Sequence, residues 1–227
     1  MNEFNGFAQL RADMVADQIA RRGLRDQRLS QAMLKVPRHL FVPRAVRAYA
    51  YEDHPIPIGY GQTISQPYIV ALMTSLLALR GDENVLEVGT GSGYQAAVLA
   101  EMAKQVHTVE RFEELADSAR ERLERLGYRN VHVYCGDGSQ GWPAAAPYDA
   151  IIITAAADEV PTPMLEQLTE GGRMVLPVGD LHGQVLQLWT RTAGRFESQD
   201  IIPVSFVPLR GKYGWSQADW DFPDSEK

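Results

Sequence analysis

A single cysteine, Cys135, stands among the 227 residues. That count excludes an intramolecular disulfide and any cysteine-based zinc site, and it fits a reducing compartment. An excess of positive charge is also missing: 22 Lys and Arg face 29 Asp and Glu, a net charge of −7. A surface of that sign argues against nucleic-acid binding, which needs a basic face. No apolar run approaches the ~20 residues of a membrane span. The opening "MNEFNGFAQLRADMVADQIARRG" carries charge throughout and lacks the apolar core of a secretory signal. None of the five histidines has metal-ligand spacing, and no internal repeat or low-complexity tract occurs. The expectation is a soluble, cytoplasmic, monomeric chain with no metal, nucleic-acid partner or membrane partner.

What is present is a regular alternation. Residues 7–22 read as an amphipathic helix ending at Gly23, and 28–36 as a second, stopped by Pro37. An irregular stretch with five prolines between 37 and 67 follows, and 68–79 reads as a buried helix entered through Pro67. From residue 84 strands and helices alternate: "NVLEVG", a helix over 93–103, "QVHTVE" at 105–110, a helix over 112–126, "VHVYC" at 131–135, "YDAIIIT" at 148–154, a helix near 161–169, and "GRMVLPVG" at 172–179. Two long strands, 184–191 and about 195–207, close the pattern around the turn "TAGR". The pattern predicts an α/β fold with a mostly parallel, doubly wound sheet and an antiparallel C-terminal hairpin. One domain is expected over 1–227: an N-terminal helical elaboration (1–80), a Rossmann-like core with the hairpin (81–215) and a loose polar tail (216–227).

The first strand runs into "EVGTGSG", 87–93. Glycines there let the backbone turn sharply and approach a ligand closely. Gly91, Gly93 and Ala96 satisfy G-x-G-x-x-A, which leaves an NAD-linked oxidoreductase open. Three carboxylates favour instead an adenosyl ligand without pyrophosphate. Glu87 lies two residues before Gly89, where it would repel phosphate and suit a cationic amino-acid group. Glu110 ends the second strand, in reach of ribose hydroxyls, and Asp137, followed by Gly138, follows the third, placed for an adenine amino group. All three stand at C-terminal ends of parallel strands, the usual crevice of such sheets.

The segments "VPRHLFVP" (36–43), "YEDHPIPIGYGQTISQP" (51–67), "VLEVGTGSGYQAAVLA" (85–100), "GDGSQGW" (136–142), "YDAIIITAAADEVP" (148–161) and "FVPLRGKYGW" (206–215) together resemble the protein-L-isoaspartate O-methyltransferase family, within the class I S-adenosylmethionine-dependent methyltransferases. The likeness runs over about residues 10–215. It implies methyl transfer from S-adenosyl-L-methionine, leaving S-adenosyl-L-homocysteine, to the α-carboxylate of L-isoaspartyl residues in damaged proteins and peptides, with repair through a succinimide. It implies that "GQTIS" in the N-terminal part lies as a lid over the cofactor, with Ser65 at the active site and Thr63 and Ile64 beside the methyl donor. Gly89, Gly91 and Gly93 would join Glu87, Glu110, Asp137 and Gly138 around the cofactor. Tyr68 stands where members of that family often carry His. A homologue that binds cofactor without catalysis is a third reading, opposed by the intact "GQTIS".

The resemblance also explains why "IGYGQTISQPY", 58–68, has Ser, Thr and Gln but no acid, Cys or His. A carboxylate acceptor with a pKa near 4 is already ionised at neutral pH and needs no base. Positioning and exclusion of water are what remain to be supplied. No G-x-S-x-G elbow surrounds Ser65, and His54 is its nearest candidate for a spatial partner. Ser65 is equally placed to cap the helix entered through Pro67. An isoaspartyl peptide would need a groove, for which the edge amides of 206–210, Val207 among them, and Ile64–Ser65 are the two candidate walls, with Arg210 a candidate charge.

Overall fold

A computed structural model describes residues 3–216, with side chains from residue 6 onward; of the expected tail, all but Ser216 lies outside the described residues. The N-terminal layer contains α1 (Glu3–Asp13), α2 (Gln27–Lys35) and α3 (Pro67–Leu76), with the hairpin β1 (Ile56–Gly59) and β2 (Gln62–Ile64) between the last two. The core then runs β3 (Asn84–Val88), α4 (Tyr94–Ala100), β4 (Gln105–Glu110), α5 (Glu113–Arg125), β5 (Val131–Cys135), β6 (Tyr148–Ile153), α6 (Thr162–Glu166), β7 (Leu168–Gly179), β8 (Gln184–Thr192) and β9 (Arg195–Val204).

Strands β3–β9 form one seven-stranded sheet in the order β5-β4-β3-β6-β7-β8-β9. Pairings from β5 to β7 are parallel, and β7–β8 and β8–β9 are antiparallel. Chain order reverses between β3 and β6, so their carboxyl ends open a crevice at the switch point. Alternation along the strands sorts the core into two clusters. Val85, Val106, Ala150, Ile152 and Val175 pack with the N-terminal layer and α4, while Leu86, Val109, Ile151, Ile153 and Met174 pack with Met164 and Leu165 of α6. The chain between β5 and β6 has only two three-residue 3-10 turns for cover, and Trp142 stacks on Tyr134 at 4.5 Å there.

Local chemistry fixes the N-terminal layer. Asp26 caps α2 by accepting from the amides of Arg28 (2.8 Å) and Leu29 (3.3 Å), a contact worth about 1 kcal/mol. Arg28 then reaches the carbonyls of Leu79 and Met102, both within 2.9 Å, and ties the layer to the core. The helix expected over 7–22 divides: α1 passes into a π-helical stretch, Met14–Ala20, which buries Met14, Val15 and Ile19. The wider turn keeps those three side chains on the core. The stretch expected to be irregular up to Pro67 contains an antiparallel hairpin, in which Ile56 pairs Ile64 and Gly59 pairs Gln62. Its two-residue turn, Tyr60–Gly61, has positive φ at both positions (55° and 65°), the geometry that matches strand twist. The helix expected near 161–169 is only Thr162–Glu166, because Leu168 already belongs to β7. Strand β9 ends at Val204, after which the Phe206 amide turns to the Gln184 side chain (2.6 Å).

Candidate active site

The crevice is built on the turn between β3 and α4. A Cβ at Gly89 (φ 96°) would sit 2.4 Å from Thr154 Oγ1. That hydroxyl donates to the carbonyls of Gly89 (2.8 Å) and Val88 (3.1 Å), which clamps β3 to the end of β6. Gly91 and Gly93 also take positive φ, 51° and 86°, and Gly93 is the N-cap residue of α4. Gly138 lies against Val88, where a Cβ would come within 2.6 Å of Val88 Cγ1.

Each expected acid stands at its strand end, in a different setting. Glu110 is almost wholly buried and accepts three backbone amides: Gly91 (2.8 Å), Arg111 (2.9 Å) and Phe112 (3.1 Å). It therefore organises the glycine turn and the entry to α5. Of about four lone-pair sites on a carboxylate, that leaves roughly one for a ligand. Asp137 accepts from the Ser139 amide and, from the far end of the chain, the Lys212 amide, both at 2.9 Å. Desolvation pushes its pKa up, but the bonds from Lys212 and Ser139 outweigh that and hold it below the ordinary value. Tyr213 completes this clasp by donating its amide to Ser139 Oγ (3.0 Å).

Glu87 is fully buried, and among the described residues neither carboxylate oxygen has a hydrogen-bond partner. It pairs in register with Thr108 on β4 and Ile152 on β6. Strand alternation therefore places Thr108 and Glu110 on its own face. Burial, with Glu110 adding to it, raises its pKa to about 8 against the pull of the nearby Thr108 hydroxyl, which is bonded instead to the Thr90 hydroxyl at 2.6 Å. An orphaned, buried carboxyl in a ligand crevice suits a cationic ligand group.

The β1–β2 hairpin covers this floor. Ile58 Cδ1 would lie 3.2 Å from a Cβ on Gly91, and the Tyr60 ring meets Phe112 with centroids 5.4 Å apart. Thr63 is exposed and Ile64 is buried. Ser65 follows, and its carbonyl accepts from Arg38 Nη2 at 2.7 Å. Its hydroxyl does not cap α3: Gln66 is the N-cap residue and makes no side-chain capping bond. Among the described residues the Ser65 hydroxyl has no hydrogen-bond partner, so it remains available to a ligand. His54 makes no hydrogen bond to it: both ring nitrogens of that exposed side chain are taken, by Glu52 and the Pro55 carbonyl. Tyr68 is occupied by the Arg22 guanidinium, 3.4 Å from its ring centroid.

The expected peptide-pairing edge at 206–210 is narrower than the sequence suggests. The Phe206 amide bonds Gln184, and the Leu209 amide bonds the Ala156 carbonyl at 2.7 Å. Pro208 has no amide hydrogen. Val207 uses its carbonyl on the Ala156 amide (2.8 Å), while its own amide takes no bond among the described residues. Arg210 Nη1 donates to the Ser216 carbonyl. Two features escaped sequence reading: buried Arg38 and the Lys212–Tyr213 clasp on Asp137 and Ser139. A charge between apolar Val36 and Leu40–Val42 was the available signal for the first; the second spans more than 70 residues and has no local signal. Among the described residues no group of three or more His, Cys, Asp or Glu could hold a metal ion, and no helix is long and apolar enough to cross a membrane.

A dinucleotide site would need the turn's amides for a pyrophosphate. Here the Gly91 amide is already used by Glu110, and Glu87 stands behind it. With that reading removed, the sheet and its acid-lined crevice define a Rossmann-like methyltransferase.

Comparison with known proteins narrows the class. The family model described as "Protein-L-isoaspartate(D-aspartate) O-methyltransferase (PCMT)" matches residues 9–214, and the chain belongs to that family. A protein-L-isoaspartate O-methyltransferase of Methanoculleus marisnigri is 54% identical over 205 residues, which cover 90% of this chain and 93% of the relative. Among solved structures, a protein-L-isoaspartate O-methyltransferase superposes with a TM-score of 0.81 at 31% identity, covering 90% of this chain and 67% of the other. A Plasmodium falciparum protein-L-isoaspartate O-methyltransferase structure in complex with S-adenosyl-L-homocysteine gives 0.78 at 26% identity, covering 88% and 98%.

Proposed function

We infer that this chain transfers a methyl group from S-adenosyl-L-methionine to the α-carboxylate of L-isoaspartyl residues in damaged proteins and peptides. The observation that carries the reading is a Ser65 hydroxyl without a hydrogen-bond partner among the described residues, at the edge of a hairpin closed over a carboxylate-lined glycine turn, in a chain that belongs to this family. The residues fit the cofactor: Glu87 is an orphaned carboxyl for a cationic group, Glu110 retains an acceptor site, and the Gly89–Gly93 turn and Gly138 leave room where side chains would intrude. When bound, S-adenosylmethionine supplies an electrophilic methyl on a sulfonium.

The chain's own part is positional. Thr63, Ile64 and the covering hairpin exclude water from the crevice. The Ser65 hydroxyl orients the acceptor carboxylate without neutralising it, which preserves its nucleophilicity. The Val207 amide and the Ile64–Ser65 backbone hold the peptide on either side. No side chain is required to remove a proton, since the acceptor is ionised at neutral pH. We read residues 1–80 as the lid of a single domain, and the chain as a cytoplasmic monomer without nucleic-acid or membrane partners; the charge of −7 and the lone cysteine support this.

The ester so formed places an activated carbonyl next to the main-chain nitrogen of the following residue. Attack by that nitrogen closes a succinimide and releases methanol, aided by an intramolecular advantage that reaches about 10⁵–10⁸ M in well-oriented systems. Water then opens the ring to aspartyl or isoaspartyl peptide. Incubation with methyl-labelled S-adenosylmethionine and an isoaspartyl peptide is expected to release volatile labelled methanol and to accumulate aspartyl peptide. A stable ester, or equal methylation of the aspartyl isomer, overturns the repair reading.

A further inference from the structure

Arg38 is fully buried, yet no carboxylate pairs with it among the described residues. Its Nε donates to the Ala50 carbonyl and its Nη2 to the Ser65 carbonyl, each at 2.7 Å. The guanidinium lies 4.8 Å from the centroid of Tyr94, the first residue of α4, and Nη1 has no hydrogen-bond partner among the described residues. Burial lowers its pKa to about 10, with Tyr94 and Tyr51 working in the opposite direction. A buried, unpaired cation is among the costliest groups a fold can hold. Packing does not require one: Phe41 and Val42 close by are ordinary core residues.

Its bonds bring together parts of the chain that are remote in sequence. Ser65 lies 27 residues away and Ala50 12, and Tyr94 opens the helix that follows the glycine turn. A planar guanidinium fixes two acceptors in one mutual geometry, which an ammonium on a flexible stem does not. We propose that Arg38 is the positioning residue of the reaction, fixing the Ser65 backbone relative to the glycine turn so that the Ser65 hydroxyl meets the acceptor carboxylate in line with the methyl group. The inference rests on the reading of Ser65 given above. The contact is to a backbone carbonyl and not to the acceptor, so Arg38 orients without drawing charge from the attacking oxygen.

The test is a double-mutant cycle with Arg38→Gln and Ser65→Ala, read as kcat/KM for an isoaspartyl peptide and as calorimetric affinity for S-adenosylhomocysteine. Arg38→Gln is expected to lower kcat/KM roughly ten- to a hundredfold. Its S-adenosylhomocysteine affinity should change by less than about threefold. Added to Ser65→Ala, it should cost little more, because residues acting through one contact are not additive. General loosening of the fold would instead multiply with the Ser65 loss and weaken cofactor binding. Full activity in Arg38→Gln beside an impaired Ser65→Ala, or multiplying losses, overturns the proposal. Full activity in Ser65→Ala refutes the Ser65 reading itself, and the proposal with it. If Arg38→Gln does not fold, Arg38→Lys keeps the charge but not the two-carbonyl fork, and the same cycle with it has the same expected and overturning outcomes.

Discussion

With Glu87 as the partner of the ligand's cationic group, cofactor binding is expected to release a proton. Its carboxyl is buried without a partner, and burial together with Glu110 raises its pKa to about 8. At pH 7 only about one molecule in ten carries it ionised. A ligand cation beside it favours the carboxylate, so binding expels roughly 0.9 proton at that pH. Ionising the group before contact costs about 1.4 kcal/mol at pH 7 and falls away above pH 8. Affinity for S-adenosylhomocysteine, whose amino group is the cation, should therefore rise nearly tenfold per pH unit from about 6 to 7.5 and level off past about 8.5. Calorimetry in phosphate and in Tris, whose ionisation enthalpies differ, counts the protons directly. The sign for folding is the reverse: a carboxyl whose folded pKa is raised stabilises the free protein below its unfolded value, 4.5, and that contribution is lost as pH climbs towards 8. Glu87→Gln should thus give a more stable free protein at pH 8, weaker binding there, and no proton release. A flat affinity between pH 6 and 8.5 with no buffer-dependent heat, or undiminished affinity in Glu87→Gln at pH 8, would refute the reasoning.

Glu110→Ala removes the acceptor of three amides and should weaken S-adenosylhomocysteine binding ten- to a hundredfold, about 1.4–2.7 kcal/mol, in a protein that stays folded by circular dichroism; unchanged affinity by calorimetry would sink the assignment. Gly89→Ala combines a left-handed backbone with a 2.4 Å collision at Thr154, so a loss of about 2 kcal/mol or more, a fall of roughly 4–8 °C in Tm, is expected in thermal unfolding. Thr154→Ala in the same chain should recover part of it, and a full-strength Gly89→Ala would show that the clamp between β3 and β6 is slack. Burial, with Arg11 and Arg47 nearby, lowers the His39 pKa to about 4. A folded value below the unfolded 6.5 means stability present above pH 6.5 and lost as pH falls towards 4. Urea midpoints should therefore drop over that window and drop less in His39→Gln; identical pH dependence in the two proteins would exclude His39 as the source.

Much of this protein was legible in the sequence because its signals are local. Strand β3 with its glycine turn, the acids Glu87, Glu110 and Asp137 at three strand ends, α5, and the β8–β9 hairpin at "TAGR" all follow from periodicity, glycine geometry and turn chemistry within a few residues. The π-helical Met14–Ala20, the β1–β2 hairpin and the short α6 did not, since burial against the core selected them over local preference. The three carboxylates read alike in sequence, each an acid after a strand. Only packing separates them into a scaffold holding three amides, a clasp for the C-terminal segment and a buried orphan. The same holds for Ser65, whose hydroxyl a local reading assigns equally to a cap or to a ligand. Tertiary structure removes the cap by giving that position to Gln66, and it gives the Ser65 carbonyl to Arg38 while the hydroxyl has no partner among the described residues. Periodicity and turn geometry are properties of neighbours along the chain, whereas desolvation and hydrogen-bond partnership depend on groups as remote as Lys212 from Asp137, and exist only once the chain has folded.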